Sequence, residues 1–193
     1  MRFSLVSAVA LFGCVAVAQL PAAEVTIDIK VLTTKSDALL PIVNSLTNSS
    51  ADLQALLAGK GPGRPSLEES LIDFARLTLN SLGTLLGAGT KYLGNDAKKI
   101  GDAFKAFVKS YSTLLNALIG KINTVSSLPL VGPILGSPLV SVLRAAETAT
   151  DTLGYALINA LEDSVGAALG TDLKSIDAVL TKVTSAVTNL GGK

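Results

Sequence analysis

From Ile100 onward, Phe104, Phe107, Tyr111, Leu114, Leu118 and Ile122 follow one another at steps of three or four residues. That spacing matches the period of an α-helix, so all of these side chains share one face. A stripe of large apolar groups this long must be covered by other elements, because burying apolar area is the main force available to it. Lys98, Lys99, Lys105 and Lys109 fall off the stripe. The stretch from Lys91 to Lys121 is basic, with only Asp96 and Asp102 to offset its lysines.

Partners for that stripe are present along the chain. Val25, Ile29, Leu32, Ser36, Leu39, Val43 and Leu46 form a similar one. EVTIDIKV also alternates apolar and polar residues and is compatible with a strand over Val25–Val31, but the longer stripe favours helix. Pro41 is expected to kink or restart that helix. The pattern resumes through Leu53, Leu56 and Leu57 and stops at GKGPGRP, residues 59–65, a loop by composition. Ser66 and Glu69 read as a capping box for a second helix with Leu67, Leu71, Phe74, Thr78, Leu82 and Leu85 on its face. Asn95 and Asp96 offer caps for the basic third helix. Ser137-Pro138 is expected to start a fourth, striped by Leu139, Leu143, Ala146, Thr150, Leu153, Leu157, Ala160, Ser164 and Ala168 and ended by Gly170. Glu147, Asp151, Glu162 and Asp163 colour it acidic. Asp172 caps the last helix, with Leu173, Ile176, Leu180, Val183, Val187 and Leu190 inward and Gly191-Gly192 as its stop. The expected fold is all-α: a single-domain bundle of about five amphipathic helices. The basic third and acidic fourth helices are candidate neighbours, although solvated charged faces account for the same pattern.

The first residues are read separately. Arg2, an apolar run from Phe3 to Val17 and the small-x-small triplet Ala16-Val17-Ala18 form a secretory signal peptide over 1–18. Residues 19–193 are then the single helical domain, and the expected location is secreted and extracellular. Leu11-Phe12-Gly13-Cys14 is a poor match to a lipoprotein box. Cleavage removes Cys14, the single cysteine, and leaves 15 basic and 15 acidic residues. Such a chain has no disulfide and must hold together by packing. Its neutral balance excludes the basic excess of a nucleic-acid binder. Hydrophobic residues make up 49% and charged residues 16%, too apolar for a disordered chain and enough to supply a contact surface.

One stretch resists the helical reading. SSLPLVGPILGSPL, residues 126–139, lies in a run free of charge between Lys121 and Arg144. Pro129, Pro133 and Pro138 remove backbone donors, so a transmembrane span would leave groups unpaired in hydrocarbon and is not expected. The expectation is an irregular Pro/Gly-rich apolar connector. Its side chains Leu128, Leu130, Val131, Ile134, Leu135 and Leu139 either close the bundle as a lid or form an exposed apolar contact tip.

Catalytic chemistry is poorly supplied. Histidine is absent, and the thiol leaves with the signal. These absences remove the commonest general base, a Cys nucleophile and any His/Cys metal site. Glu68-Glu69 and Glu162-Asp163 are adjacent acids whose side chains diverge on a helix, so capping and solubility are their expected roles. Only two acids converging in a cleft would revive a carboxylate-based hydrolase. GTLLGAG lacks the lysine and context of a phosphate loop. Gly83/Gly87 and Gly166/Gly170 are read as sites of close helix packing. Asn48-Ser49-Ser50 is an N-glycosylation sequon, with Asn48 the acceptor. Tyr111 is expected in the core and Tyr92 on the surface. The chain is expected to be no enzyme, with no cofactor and no metal.

VTIDIKVLTTKSDALLPIVNSL and GTDLKSIDAVLTKVTSAVTNL resemble the Cys-free helices of the secreted fungal hydrophobic-surface-binding and cell-wall galactomannoprotein family. Small secreted helical proteins of insects are similar in the same general way. The fungal resemblance implies adsorption to apolar surfaces or residence in a cell wall. The connector at 126–139 and the GKGPGRP loop depart from the family's pattern. The functional expectation is a secreted, non-enzymatic protein that binds hydrophobic surfaces or lipids. The alternative is a matrix or cell-wall protein that self-associates. Mass spectrometry of the protein secreted by a eukaryotic host should show a mature chain that begins at Gln19. Retention of residues 1–18 would contradict the signal-peptide reading.

Overall fold

The computed structural model describes residues 20–45, 72–73, 76–77, 91–125 and 131–191, with the side chains of 125, 131–139, 190 and 191 outside the description. Four long helices make up most of these residues: α1 (Ala22–Asn44), α2 (Gly94–Val125), α3 (Val131–Ala160) and α4 (Asp163–Gly191). Ile72, Asp73, Arg76 and Leu77 are also helical, within the stretch assigned above to the second helix. The rest of that stretch, the GKGPGRP loop and Gly83/Gly87 lie outside the described residues. No strand forms among the described residues, only an isolated parallel bridge between Tyr92 and Leu161.

Over the described residues, the stripes read for α1, for α2, for α3 from Leu143 to Ala160 and for α4 from Leu173 to Val187 are the buried faces, whereas Ser164 and Ala168, read as part of the fourth stripe, are exposed. Val25, Ile29, Leu32, Ser36, Leu39 and Val43 are buried on α1. Every member of the Ile100–Ile122 stripe is buried on α2. Phe104, Phe107 and Tyr111 form a ladder along it, with ring centroids 5.9 and 5.6 Å apart. The two buried polar stripe members satisfy themselves. Ser36 donates to the Leu32 carbonyl at 3.1 Å and Thr150 to the Ala146 carbonyl at 2.8 Å. A hydroxyl bonded one turn back can enter the core without an orphaned group.

In space, α2 packs along α1 and α4, and α4 packs along α3. The basic α2 and the acidic α3 are therefore not the main neighbours expected from their charges: α2 packs most extensively on α1, and α3 on α4. Pro41 does not end α1, which continues to Asn44. It falls in the last turn, where a lost amide leaves only the Asp37 carbonyl without its intrahelical donor.

The largest departures concern α3 and α4. Val131 to Leu139 is helical rather than irregular, so α3 begins before Ser137. Pro133 is in the first turn, where amides have no intrahelical partner, and Pro138 costs one internal bond. The expected continuation from Ala160 to Gly170 is broken at Leu161-Glu162, and α4 starts at Asp163. Gly170 and Asp172 are thus inside α4, not a stop and a cap.

Glycine is required at this corner. A Cβ on Gly166 would lie 2.9 Å from the Ile158 carbonyl oxygen, and one on Gly154 would lie 2.7 Å from a Leu173 methyl. Gly120 on α2 faces open space. Gly166→Ala should destabilise the protein by about 1–3 kcal/mol, because the obstructing atom is backbone. Gly120→Ala should stabilise it by about 0.5–1 kcal/mol. Urea unfolding of the two variants checks both signs.

Candidate functional site

One end of the bundle is tied by polar contacts among three segments. The amide of Tyr92 donates to the Ala160 carbonyl at 2.8 Å, and that of Glu162 donates to the Tyr92 carbonyl at 3.0 Å. The Tyr92 hydroxyl donates to the Leu20 carbonyl at 2.6 Å. Tyr92 is therefore buried rather than on the surface. The Gly94 amide, at the N-terminus of α2, donates to Glu162 Oε2 at 2.9 Å. A carboxylate there satisfies an orphan donor and meets the positive end of the helix dipole. Lys91 pairs with Asp163, and its hydrogen bond, then its charge, hold that carboxyl below the ordinary range. Glu162 thus has the capping role expected of it, but for α2 and across the chain, in place of Asn95 or Asp96.

Beside this end, α2 and α4 border an open groove of about 500 Å³. Val165, Ala168 and Leu169 supply its apolar wall, and Gly101 forms its floor. Val165 covers Gly101 so closely that a Cβ would meet its methyl at 2.7 Å. Lys98 and Lys105 stand at the rim with Asp102 and Asp172. Lys98 is engaged by Asp102 at 2.6 Å. Lys105 forms no ion pair among the described residues. Asp172 forms none either, so the rim sets one unengaged cation and one unengaged acid beside an apolar wall that suits an acyl chain.

A second polar group runs through the bundle. Glu147 and Asp151, one turn apart on α3, approach Tyr111 of α2 and Asp177 of α4 respectively. Burial pushes the Tyr111 hydroxyl well above its ordinary value, and the Glu147 charge adds to this. Burial, then the hydrogen bond and charge of Asp177, then Glu147 raise Asp151 to about 7. The Oδ1 atoms of Asp151 and Asp177 are both withdrawn from solvent. The sequence did not bring out this contact, which lies in the seam between α3 and α4 and does not set two acids across a cleft. In the sequence Asp151 reads as one more charge on an acidic helix, and Asp177 lies on a helix separated from it by a turn. Asp151 also borders a shallow open groove on α3, with Tyr155, of about 400 Å³.

The residues proposed as an apolar tip are only partly covered by the structure. Leu128 and Leu130 lie outside the described residues, as does Asn48. Val131, Ile134, Leu135 and Leu139 occupy the first turns of α3, outside the description of side chains. No described helix is long and apolar enough to cross a membrane. No group of three or more potential metal-binding side chains is found among the described residues.

No protein-family model and no curated protein sequence matches the chain. Its all-helical bundle is nonetheless shared with a solved structure. AFMP4P, an Aspergillus protein crystallised in complex with palmitic acid, aligns with a TM-score of 0.68. The alignment covers 86% of this chain and 99% of that one, at 17% sequence identity. At that identity the likeness establishes the fold. For the end contacts, Glu162→Ala should cost about 1 kcal/mol in urea unfolding, through loss of the cap on α2. An unchanged midpoint would show that the Gly94 amide gains nothing from Glu162.

Proposed function

We propose that this chain is a secreted, non-enzymatic protein that binds long-chain fatty acids or related lipids. The observation that carries this reading is the bundle itself. It spans nearly all of a fold that, in AFMP4P, was crystallised with palmitic acid. The described surface offers a compatible place in the α2–α4 groove, with the acyl chain against Val165, Ala168 and Leu169 and the carboxylate near Lys105. The apolar surplus of the composition supports the same reading. Contact with an apolar solid or a membrane surface through the 126–139 region is the finer version of this proposal.

Self-association is a second reading with its own observation. Ile27 and Val31 lie one turn apart on the outer face of α1, 59% and 40% exposed. A defined oligomer in lipid-free protein, dissociated by charged residues at those positions, would favour it.

The direct test is titration of delipidated residues 19–193 with palmitate. Saturable binding is expected. Ala168→Trp, at an exposed position, should fill the groove and weaken binding at least about tenfold, or ~1.4 kcal/mol, without loss of stability. Lys105→Glu should weaken palmitate more than palmityl alcohol. Absence of saturable binding by a folded parent would overturn the lipid reading. Full binding by both variants would move the site out of this groove.

A further inference from the structure

The facing acids on α3 and α4 have no part in the lipid reading, and their arrangement is unusual for a stabilising contact. Asp151 lies within hydrogen-bonding range of Asp177 across the helix–helix interface. Each has its Oδ1 atom shut off from solvent with no N–H or O–H of another residue donating to it, so a proton shared between the two acids is what can satisfy them. Glu147 adds a third negative charge one turn earlier on α3. From α2 the neighbouring titratable group is Tyr111, beside Glu147, and it stays neutral. None of the ion pairs among the described residues involves these acids. Arg144, Lys174 and Lys182, the basic residues nearest in sequence, are all exposed. Two facing carboxyl groups attract while they share a proton and repel once both are ionised, since two carboxylates repel and neither can donate.

We propose that the Asp151–Asp177 contact is a pH-sensitive latch: protonated, it closes α3 on α4, and with both carboxylates ionised it lets the two helices part. The two helices are joined only by the short turn at Leu161-Glu162, so a hinge at that end is already present. The end contacts around Tyr92 would hold the hinge while the remainder of the seam loosens.

The direction is opposite to that of a carboxylate in a salt bridge. Asp151 binds its proton more tightly in the closed seam than in an open one. The stabilisation is complete at low pH, below the ordinary carboxylate range near about 4, and is lost as pH rises through about 7. One released proton sets a ceiling of about tenfold in the open population per pH unit within that window.

The experiment uses the lipid-free chain, so its failure is distinguishable from failure of the lipid reading. Carbon-detected NMR follows the carboxyl groups of Asp151 and Asp177, and hydrogen exchange follows the amides of α3 and α4 between about pH 5 and about pH 8. Expected are one carboxyl titrating near neutrality and an open population that rises several-fold across the window, after correction for intrinsic exchange. Asp151→Asn and Asp177→Asn should each flatten that rise, because each removes one ionisable partner and keeps its shape. Ordinary carboxylate titration of both residues in the parent would overturn the proposal, whether or not the variants fold. So would an undiminished rise in a folded variant.

Discussion

The buried face of α2 is the constraint on which the rest of the structure depends. A chain with a single cysteine has no internal disulfide, so apolar burial must offset the entropy of ordering it. Ile100, Phe104, Phe107, Tyr111, Leu114, Leu118 and Ile122 provide one continuous surface for this. α1 lies along one side of it and α4 along another, and α3 joins through α4. Polar ties add register to this packing. Ser110 donates to Asp37 at 2.5 Å and Lys121 to the Asn44 carbonyl at 3.1 Å, holding α1 against α2 at two separate points. Being exposed, such contacts align the helices more than they stabilise them.

The corner between α3 and α4 shows how local geometry directs the larger arrangement. The Leu161 amide still donates to Leu157, but the Ala160 carbonyl and the Glu162 amide on either side of it bond Tyr92, and Glu162 turns its carboxylate to the start of α2. With the chain reversed there, Gly166 meets the backbone of Ile158 and Gly154 admits Leu173. The close approach of the two helices brings Asp151 against Asp177. The same corner places Val165 and Leu169 over Gly101, which shapes the wall of the α2–α4 groove. The packing, the groove and the acid pair thus have one structural origin.

Much of the fold was legible in the sequence because helix burial is periodic. The stripes of α1, α2 and α4 match the buried residues, since their signal is repeated over many turns. The break at Leu161-Glu162 was hidden because its cause is tertiary: Tyr92, some seventy positions away, bonds the Ala160 carbonyl and the Glu162 amide on either side of Leu161. Gly170 misled for the complementary reason, as a glycine inside a close-packed helix has the composition of a stop. The start of α3 was also missed, because prolines are tolerated in a first helical turn and the sequence does not say where that turn falls. Of the candidate site, little was visible. Lys105 and Ala168 come together only once α4 packs on α2, and the Asp151–Asp177 contact depends on the same reversal of chain direction.

The central claim is that this bundle carries an acyl chain. Native mass spectrometry of the protein purified without added ligand addresses it most directly. The account predicts a folded monomer bearing an adduct of fatty-acid mass, released intact on collisional activation and restored when stripped protein is exposed to palmitate. A folded protein that shows only its bare mass, both as purified and after that exposure, would contradict it.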